Sequence, residues 1–227
     1  VLMAQKVKNV TGFEVMPHIC CRDKNAIAMR STFLGASIND INNFLIITGD
    51  PIPVMARQVV KSVFNFDSVG LMRIADEMNS EALKDSPLTY GGAINQSRRR
   101  IESEIKRVQK KMEAGAEFFL TQPVFTAEDA ERLRRVKEET GARILCGIMP
   151  LVSRKNALFM KNEISGVNVT DEVIERYPEN ADREDGENVG VELAKEMIAA
   201  TRDFADGYYF SFPFNRTYLL KRIIQEV

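Results

Sequence analysis

The sequence predicts an α/β fold built on a buried parallel sheet. Three observations predict it. Runs such as FLIITG at 44–49 and EFFLT at 117–121 hold three or four successive apolar residues, as in strands covered on both faces. Amphipathic stretches separate these runs in regular alternation, the pattern of βαβ units. Polar residues stand where three of the runs stop: His18 after EVMP, Asp50 after FLIITG and Gln122 after EFFLT. The carboxyl ends of such strands are where α/β folds place their ligands.

Taken in order, strands are expected at 13–19, 43–48, 88–94, 117–121, 143–148 and 207–212. Helices are expected at 25–35, 55–79 with a break, 97–114, 127–140, 153–164, 188–205 and 216–226. The helix at 97–114 is the clearest. Ser97 is its N-cap candidate. Ile101, Ile105, Val108 and Met112 form an apolar stripe, and Gly115 supplies the stop. The next helix starts after Thr126 and stops at Gly141 by the same logic. The polar, acidic stretch 177–188, with Pro178 and Gly186, reads as an exposed loop.

Six strands suit an open doubly wound sheet or part of a (β/α)8 barrel. The open sheet usually carries a glycine-rich phosphate loop after its first strand. Neither GxGxxG nor GxxxxGK[ST] occurs here. A barrel needs eight strands, so that reading expects two N-terminal βα units to be missing.

The chain has 227 residues, 44% of them hydrophobic, which suits one domain spanning 1–227 with a sizeable core. Its 31 basic and 32 acidic residues leave a net charge of -1. That balance carries no electrostatic footprint for nucleic acid or an anionic membrane surface. No apolar run approaches the ~20 residues of a membrane span. The opening VLMAQKVKNVTG is broken by charges and does not read as a signal peptide. Cys20, Cys21 and Cys146 are few and odd in number, which points to a reducing, cytoplasmic setting.

Several residues could carry chemistry. Phe44, Ile46, Thr48 and Asp50 share one side of their strand, as do Phe118, Leu120 and Gln122. Asp50 also reads as a turn residue, because Gly-Asp-Pro is good turn chemistry. Gln122, just before Pro123, brings both a donor and an acceptor for orienting a ligand, or a helix cap. His18 is the one histidine of the chain and reads as a satisfied imidazole or as a hydrogen-bond donor at a strand end. His-Ile-Cys-Cys at 18–21 offers zinc-type ligands. Alternation points Cys21 away from the other two, and no Cys-x-x-Cys occurs, so no metal is expected. Arg98, Arg99 and Arg100 could meet a phosphate or face solvent. Glu104 and Lys111, seven apart on one helix, could face a ligand or water.

At this point the motifs resemble a known family. Phe-Leu-Thr-Gln-Pro-Val-Phe at 119–125, preceded by Lys-Met-Glu-Ala-Gly-Ala at 111–116, resembles methylenetetrahydrofolate reductase. So do Pro-His at 17–18, Ile-Thr-Gly-Asp-Pro at 47–51, Gly-Ile-Met-Pro at 147–150, Ser-Arg-Lys-Asn-Ala at 153–157 and Phe-Asn-Arg at 214–216. Their order and spacing agree along essentially the whole chain. Val63–Leu71 and Gly91–Asn95 look most like a bacterial branch in which the reductase is often fused behind a homocysteine methyltransferase domain.

The resemblance implies a (β/α)8 TIM barrel, represented here by its third to eighth strands. It implies FAD at the carboxyl strand ends, with NADH or NADPH as hydride donor. The implied reaction is reduction of 5,10-methylenetetrahydrofolate to 5-methyltetrahydrofolate, in one-carbon metabolism and methionine biosynthesis. A small-molecule folate is then the partner, and a homo-oligomer stays open. By the same resemblance, Asp50 matches an aspartate beside the flavin ring and the folate. Gln122 matches a glutamine meeting nicotinamide and folate in turn. His18 matches a residue on the ribityl–phosphate side, and Glu104 and Lys111 match groups holding the rest of FAD. Gly49 and Asn95 complete that cofactor set, and Arg216 lies on the folate side.

Three departures stand out. Thr48 replaces a phosphate-binding arginine. Asn156 and Met160 replace a glutamine and a phenylalanine at the folate. The first-strand glutamate that serves as general acid falls in the missing strands, so two further readings stay open. One is a catalytically incompetent barrel fragment. The other is a different barrel enzyme, such as a zinc-dependent methyltransferase.

Overall fold

A computed structural model describes residues 1–225. Among the described residues, six strands run in chain order through one parallel sheet, and helices alternate with them, the βα alternation of a (β/α)8 barrel. The chain divides into two compact units. One is Val1–Ala93 with Arg107–Phe118, and the other is Ile94–Lys106 with the residues from Phe119 on.

The first unit holds α1 (Leu2–Thr11), β1 (His18–Cys20), α2 (Ala26–Ser37), β2 (Asn43–Ile47), α3 (Ser68–Ser80) and most of β3 (Thr89–Ile94). β1 pairs with β2 in parallel, with His18 opposite Leu45, and β2 pairs with β3, with Asn43 opposite Thr89. Phe44, Leu45 and Ile46 are all buried, so β2 is covered on both faces as its run predicts. Phe33 of α2 packs edge to face on Phe44, ring centres 5.3 Å apart. Side chains cap these helices. Asn25 accepts the Ala28 N–H at 2.9 Å, and Asp67 accepts the Gly70 N–H at 2.9 Å.

Helix α4 (Ile101–Glu113) precedes β4 (Phe118–Pro123). The second unit continues through α5 (Ala127–Thr140), β5 (Ile144–Ile148), α6 (Arg154–Glu163), α7 (Asp171–Glu175), α8 (Arg183–Thr201), β6 (Gly207–Phe210) and α9 (Leu219–Ile224). β4, β5 and β6 pair in parallel in that order. A cluster of Phe125, Leu151, Ala157, Met160, Val173, Tyr177 and Leu193 forms an apolar core in this unit. The Tyr177 hydroxyl is satisfied there by the Leu151 carbonyl at 3.0 Å. Helix α8 runs so close to that peptide that a Cβ on Gly190 would collide with the Leu151 carbonyl oxygen.

Several expectations need correction. The run at 13–16 is not a strand. Phe13 is 75% exposed, and β1 starts at His18, after Pro17, whose carbonyl takes the Leu45 N–H at 3.2 Å. His18 therefore opens its strand instead of ending it. Ser97 caps no helix, because α4 begins at Ile101 and Ser97 donates its N–H to the Asn95 side chain at 3.0 Å. The three arginines at 98–100 accordingly precede α4. Its buried face is Ile101, Glu104, Ile105, Val108 and Lys111, while Met112 is exposed.

The expected helix at 55–79 is a 3-10 turn at Val54–Ala56 followed by α3. The expected loop at 177–188 contains the first turns of α8, capped by Asp182 onto the Asp185 N–H at 2.9 Å, and Tyr177, Gly186 and Glu187 are buried. Helices α1 and α7 come without a sequence expectation. Gly115 and Gly141 do end their helices, each with a positive φ. The expected end of the last helix, residue 226, lies outside the described residues.

Candidate functional site

In the first unit, the chain leaves β2 through Thr48, Gly49 and Asp50. The Thr48 hydroxyl oxygen accepts the Ser68 N–H at 3.2 Å, one of the unpaired donors at the start of α3. Gly49 has φ 89°, and a Cβ there would lie 2.9 Å from the Cys20 Cβ. Only glycine suits that backbone, which turns the chain just before Asp50. The Asp50 carboxylate is exposed and makes no hydrogen bond among the described residues. Its carbonyl accepts from Arg22 Nη1 at 3.3 Å, and the Arg22 fork grips Asp23 at 2.7 and 3.0 Å. That hydrogen-bonded pair raises the Arg22 guanidinium and lowers the Asp23 carboxyl from their ordinary values.

His18 is exposed beside a cavity of about 200 Å³ that is lined also by Ile19, Met29 and Phe44. Partial desolvation lowers its imidazole from the ordinary value. Cys20 Sγ lies 3.4 Å from Asp23 Oδ2, and Cys21 is fully buried with its Sγ 3.5 Å from the Ile47 carbonyl. Burial pushes the Cys21 thiol up to about 12. No group of three His, Cys, Asp or Glu side chains among the described residues could hold a metal ion.

Lys111 is only 4% exposed and donates to the carbonyl of Ala93, near the end of β3. Glu104, 2% exposed, accepts the Asn95 N–H at 3.0 Å and lies 3.0 Å from Arg98 Nε. Both are therefore buried struts of a strand end, not the solvated pair that their charges suggest. They shape the backbone after β3, and Asn95 closes a small turn over Ser97.

Gln122 sits at the carboxyl end of β4, half-buried. No partner among the described residues reaches its side-chain amide. Its backbone is held by Gln96, a residue the sequence does not single out. Gln96 Oε1 accepts the Gln122 N–H at 3.2 Å, and Gln96 Nε2 donates to the Gln122 carbonyl at 3.0 Å and to that of Pro123 at 3.3 Å. Asn156 lies in the first turn of α6, and its Oδ1 accepts the Val152 N–H at 3.2 Å. Met160 is buried in the apolar core.

Arg216 follows a 3-10 turn at Pro213–Asn215, with its Nη1 3.0 Å from Glu187 Oε1. The same oxygen accepts from Arg183 Nε at 2.9 Å and from the Tyr218 hydroxyl at 2.5 Å. Burial alone would raise the Glu187 carboxyl. Those hydrogen bonds and the two guanidinium charges outweigh it, and the carboxyl is lowered.

The methylenetetrahydrofolate reductase family model matches residues 1–226. The chain belongs to the methylenetetrahydrofolate reductase family. That makes it one of a family of oxidoreductases acting on a reduced folate. No curated protein sequence matches it. Among solved structures, it resembles an uncharacterized protein from Clostridium thermocellum described as binding two copies of 5-methyl-5,6,7,8-tetrahydrofolic acid. The two share 15% identity over 96% of each chain, with a TM-score of 0.51. It also resembles 2,3-dimethylmalate lyase, a member of the PEP mutase/isocitrate lyase superfamily, with 14% identity and a TM-score of 0.52 over 98% of this chain and 61% of that one. At these identities the likeness is one of fold. No helix among the described residues is long and apolar enough to cross a membrane.

Proposed function

We propose that this member of the methylenetetrahydrofolate reductase family reduces 5,10-methylenetetrahydrofolate to 5-methyltetrahydrofolate with FAD, using NADH or NADPH, in the cytoplasm. The observation that carries the reading is Gln122, a half-buried amide at a strand's carboxyl end with its backbone pinned and its side chain left to a ligand. The folate bound by the Clostridium thermocellum protein agrees with it.

The residues suit a flavin in part. Gly49 turns the chain with a positive φ after β2, and Asp50 beside it offers an exposed carboxylate. When bound, the flavin supplies the hydride chemistry. Asp50 opposes negative charge beside it through its own charge. His18 donates or accepts through its imidazole, whose pKa desolvation lowers from the ordinary value. Glu104 and Lys111 act at one remove, holding the strand end on which Asn95 is carried. Gln122 presents both a donor and an acceptor, enough to orient a nicotinamide carboxamide or a pterin. Arg216, held by Glu187, supplies a positive charge for the glutamyl carboxylate of the folate.

The test is an anaerobic titration of the purified protein reconstituted with FAD. NADH or NADPH bleaches the flavin, and methylenetetrahydrofolate restores its absorbance. A protein that takes up no FAD, or a reduced flavin that methylenetetrahydrofolate leaves bleached, defeats the reading.

A further inference from the structure

The ladder between β4 and β5 is regular from Phe119 to Leu120 and resumes at Pro123, with a register shift between. Gln122 lies inside that irregularity. Such a bulge re-aims the side chain it carries, and it leaves backbone groups that need other partners. Side chains supply them. The Thr121 hydroxyl donates to the Gln122 carbonyl at 2.7 Å and accepts the Gly147 N–H at 2.9 Å, where a regular ladder would use a carbonyl. The Tyr209 hydroxyl donates to the Thr121 carbonyl at 2.5 Å. Gln96 completes the set, binding both the N–H and the C=O of Gln122. Gln96 is 0% exposed, so no water competes with it.

We propose that Gln96 is the positioning residue for Gln122. Its buried amide fixes the peptide at the bulge and thereby the direction in which the Gln122 side chain meets the folate. This rests on the proposed reduction of methylenetetrahydrofolate. An amide is the one neutral side chain that offers an acceptor and two donors in the plane of a peptide group, as this double contact requires. Methionine has the volume but neither function. A carboxylate keeps the acceptor and faces two carbonyl oxygens with no proton to give. A protonated carboxyl restores one donor and one acceptor.

Two variants test the proposal. Gln96→Met is expected to bind FAD at the wild-type ratio and to be reduced by NAD(P)H, more slowly than wild type because Gln122 also orients the nicotinamide. Its reoxidation by methylenetetrahydrofolate, per bound flavin, is expected to fall ~10-fold or more, because a displacement of about 1 Å in an orienting group costs up to ~100-fold. Gln96→Glu is expected to be as slow at alkaline pH and to recover toward the wild-type rate as the pH falls, since burial opposite two carbonyls raises the introduced carboxyl. A merely structural role would lower the melting temperature while leaving turnover per bound flavin and the pH profile unchanged, and that result overturns the proposal. If the wild-type protein itself is not reoxidised by methylenetetrahydrofolate, the functional reading fails instead. The positioning claim is then judged on a crystal structure of Gln96→Met, where an unmoved Gln122 side chain overturns it.

Discussion

Glu104 Oε1 accepts the backbone N–H of Asn95 at 3.0 Å, so a carboxylate buried in α4 holds the first residue beyond β3. Glu104→Ala leaves that N–H unsatisfied and removes the partner of Arg98. The expected loss is about 1–3 kcal/mol of stability, read from urea denaturation. Glu104→Gln keeps an acceptor and should lose less. Equal midpoints for wild type and the alanine variant would show that the strut carries no weight.

Gln122→Ala should keep its flavin and lose folate-dependent reoxidation by at least ~10-fold, equivalent to about 1.4 kcal/mol. Stopped-flow flavin absorbance measures it. An unaltered oxidative half-reaction rejects Gln122 as the orienting group.

Asp50→Asn removes a negative charge that no hydrogen bond among the described residues offsets at its carboxylate. With Asp50 beside the ring, the flavin potential rises, because reduction no longer adds charge next to a carboxylate. A dye-equilibration titration showing the wild-type potential would place Asp50 away from the flavin.

Burial pushes the Cys21 and Cys146 thiols up to about 12. Only thiolates alkylate readily. At pH 8, iodoacetamide should therefore label half-buried Cys20 in the native protein and the other two only after denaturation. Peptide mapping by mass spectrometry decides it, and rapid native labelling of Cys146 would contradict its burial.

Glu187 is held below its ordinary value of 4.5, so the folded state binds its proton more weakly than the unfolded chain. The stability this contributes is complete above the ordinary glutamate range and is lost as the pH falls through the lowered value. Glu187→Gln should flatten the stability profile below about pH 5 relative to wild type. Parallel profiles would show that the guanidinium partners stabilise nothing.

The strands with apolar runs were legible because burial on both faces leaves a direct mark in the sequence. Residues 44–46 and 119–120 are apolar at every position and buried at every position. β1 starts later than its run suggests because Phe13, Val15 and Met16 are apolar, around the charged Glu14, without being buried. The face of α4 was partly legible. Glu104 and Lys111 fall at i+3 and i+10 from Ile101, on the buried side, but their charges argued for solvent. What overrode that argument is backbone demand at the end of β3, which no local pattern reveals. Gln96 left no mark at all, since its partners are main-chain groups 26 and 27 residues away. Asp50 and Gln122 were legible as positions at strand ends, whereas the Glu187 partner of Arg216 lay in a stretch read as loop.

The close approach of α8 to Leu151 has a practical consequence for mapping this protein by saturation mutagenesis. Any substitution at Gly190 places an atom where the Leu151 oxygen already is. In a growth selection Gly190 would score as intolerant as Gln122, although one residue packs a helix and the other is proposed to touch substrate. Cellular abundance, scored beside growth, would tell them apart. Gly190 variants should vanish from the soluble pool, whereas Gln122 variants should accumulate normally and fail only in turnover.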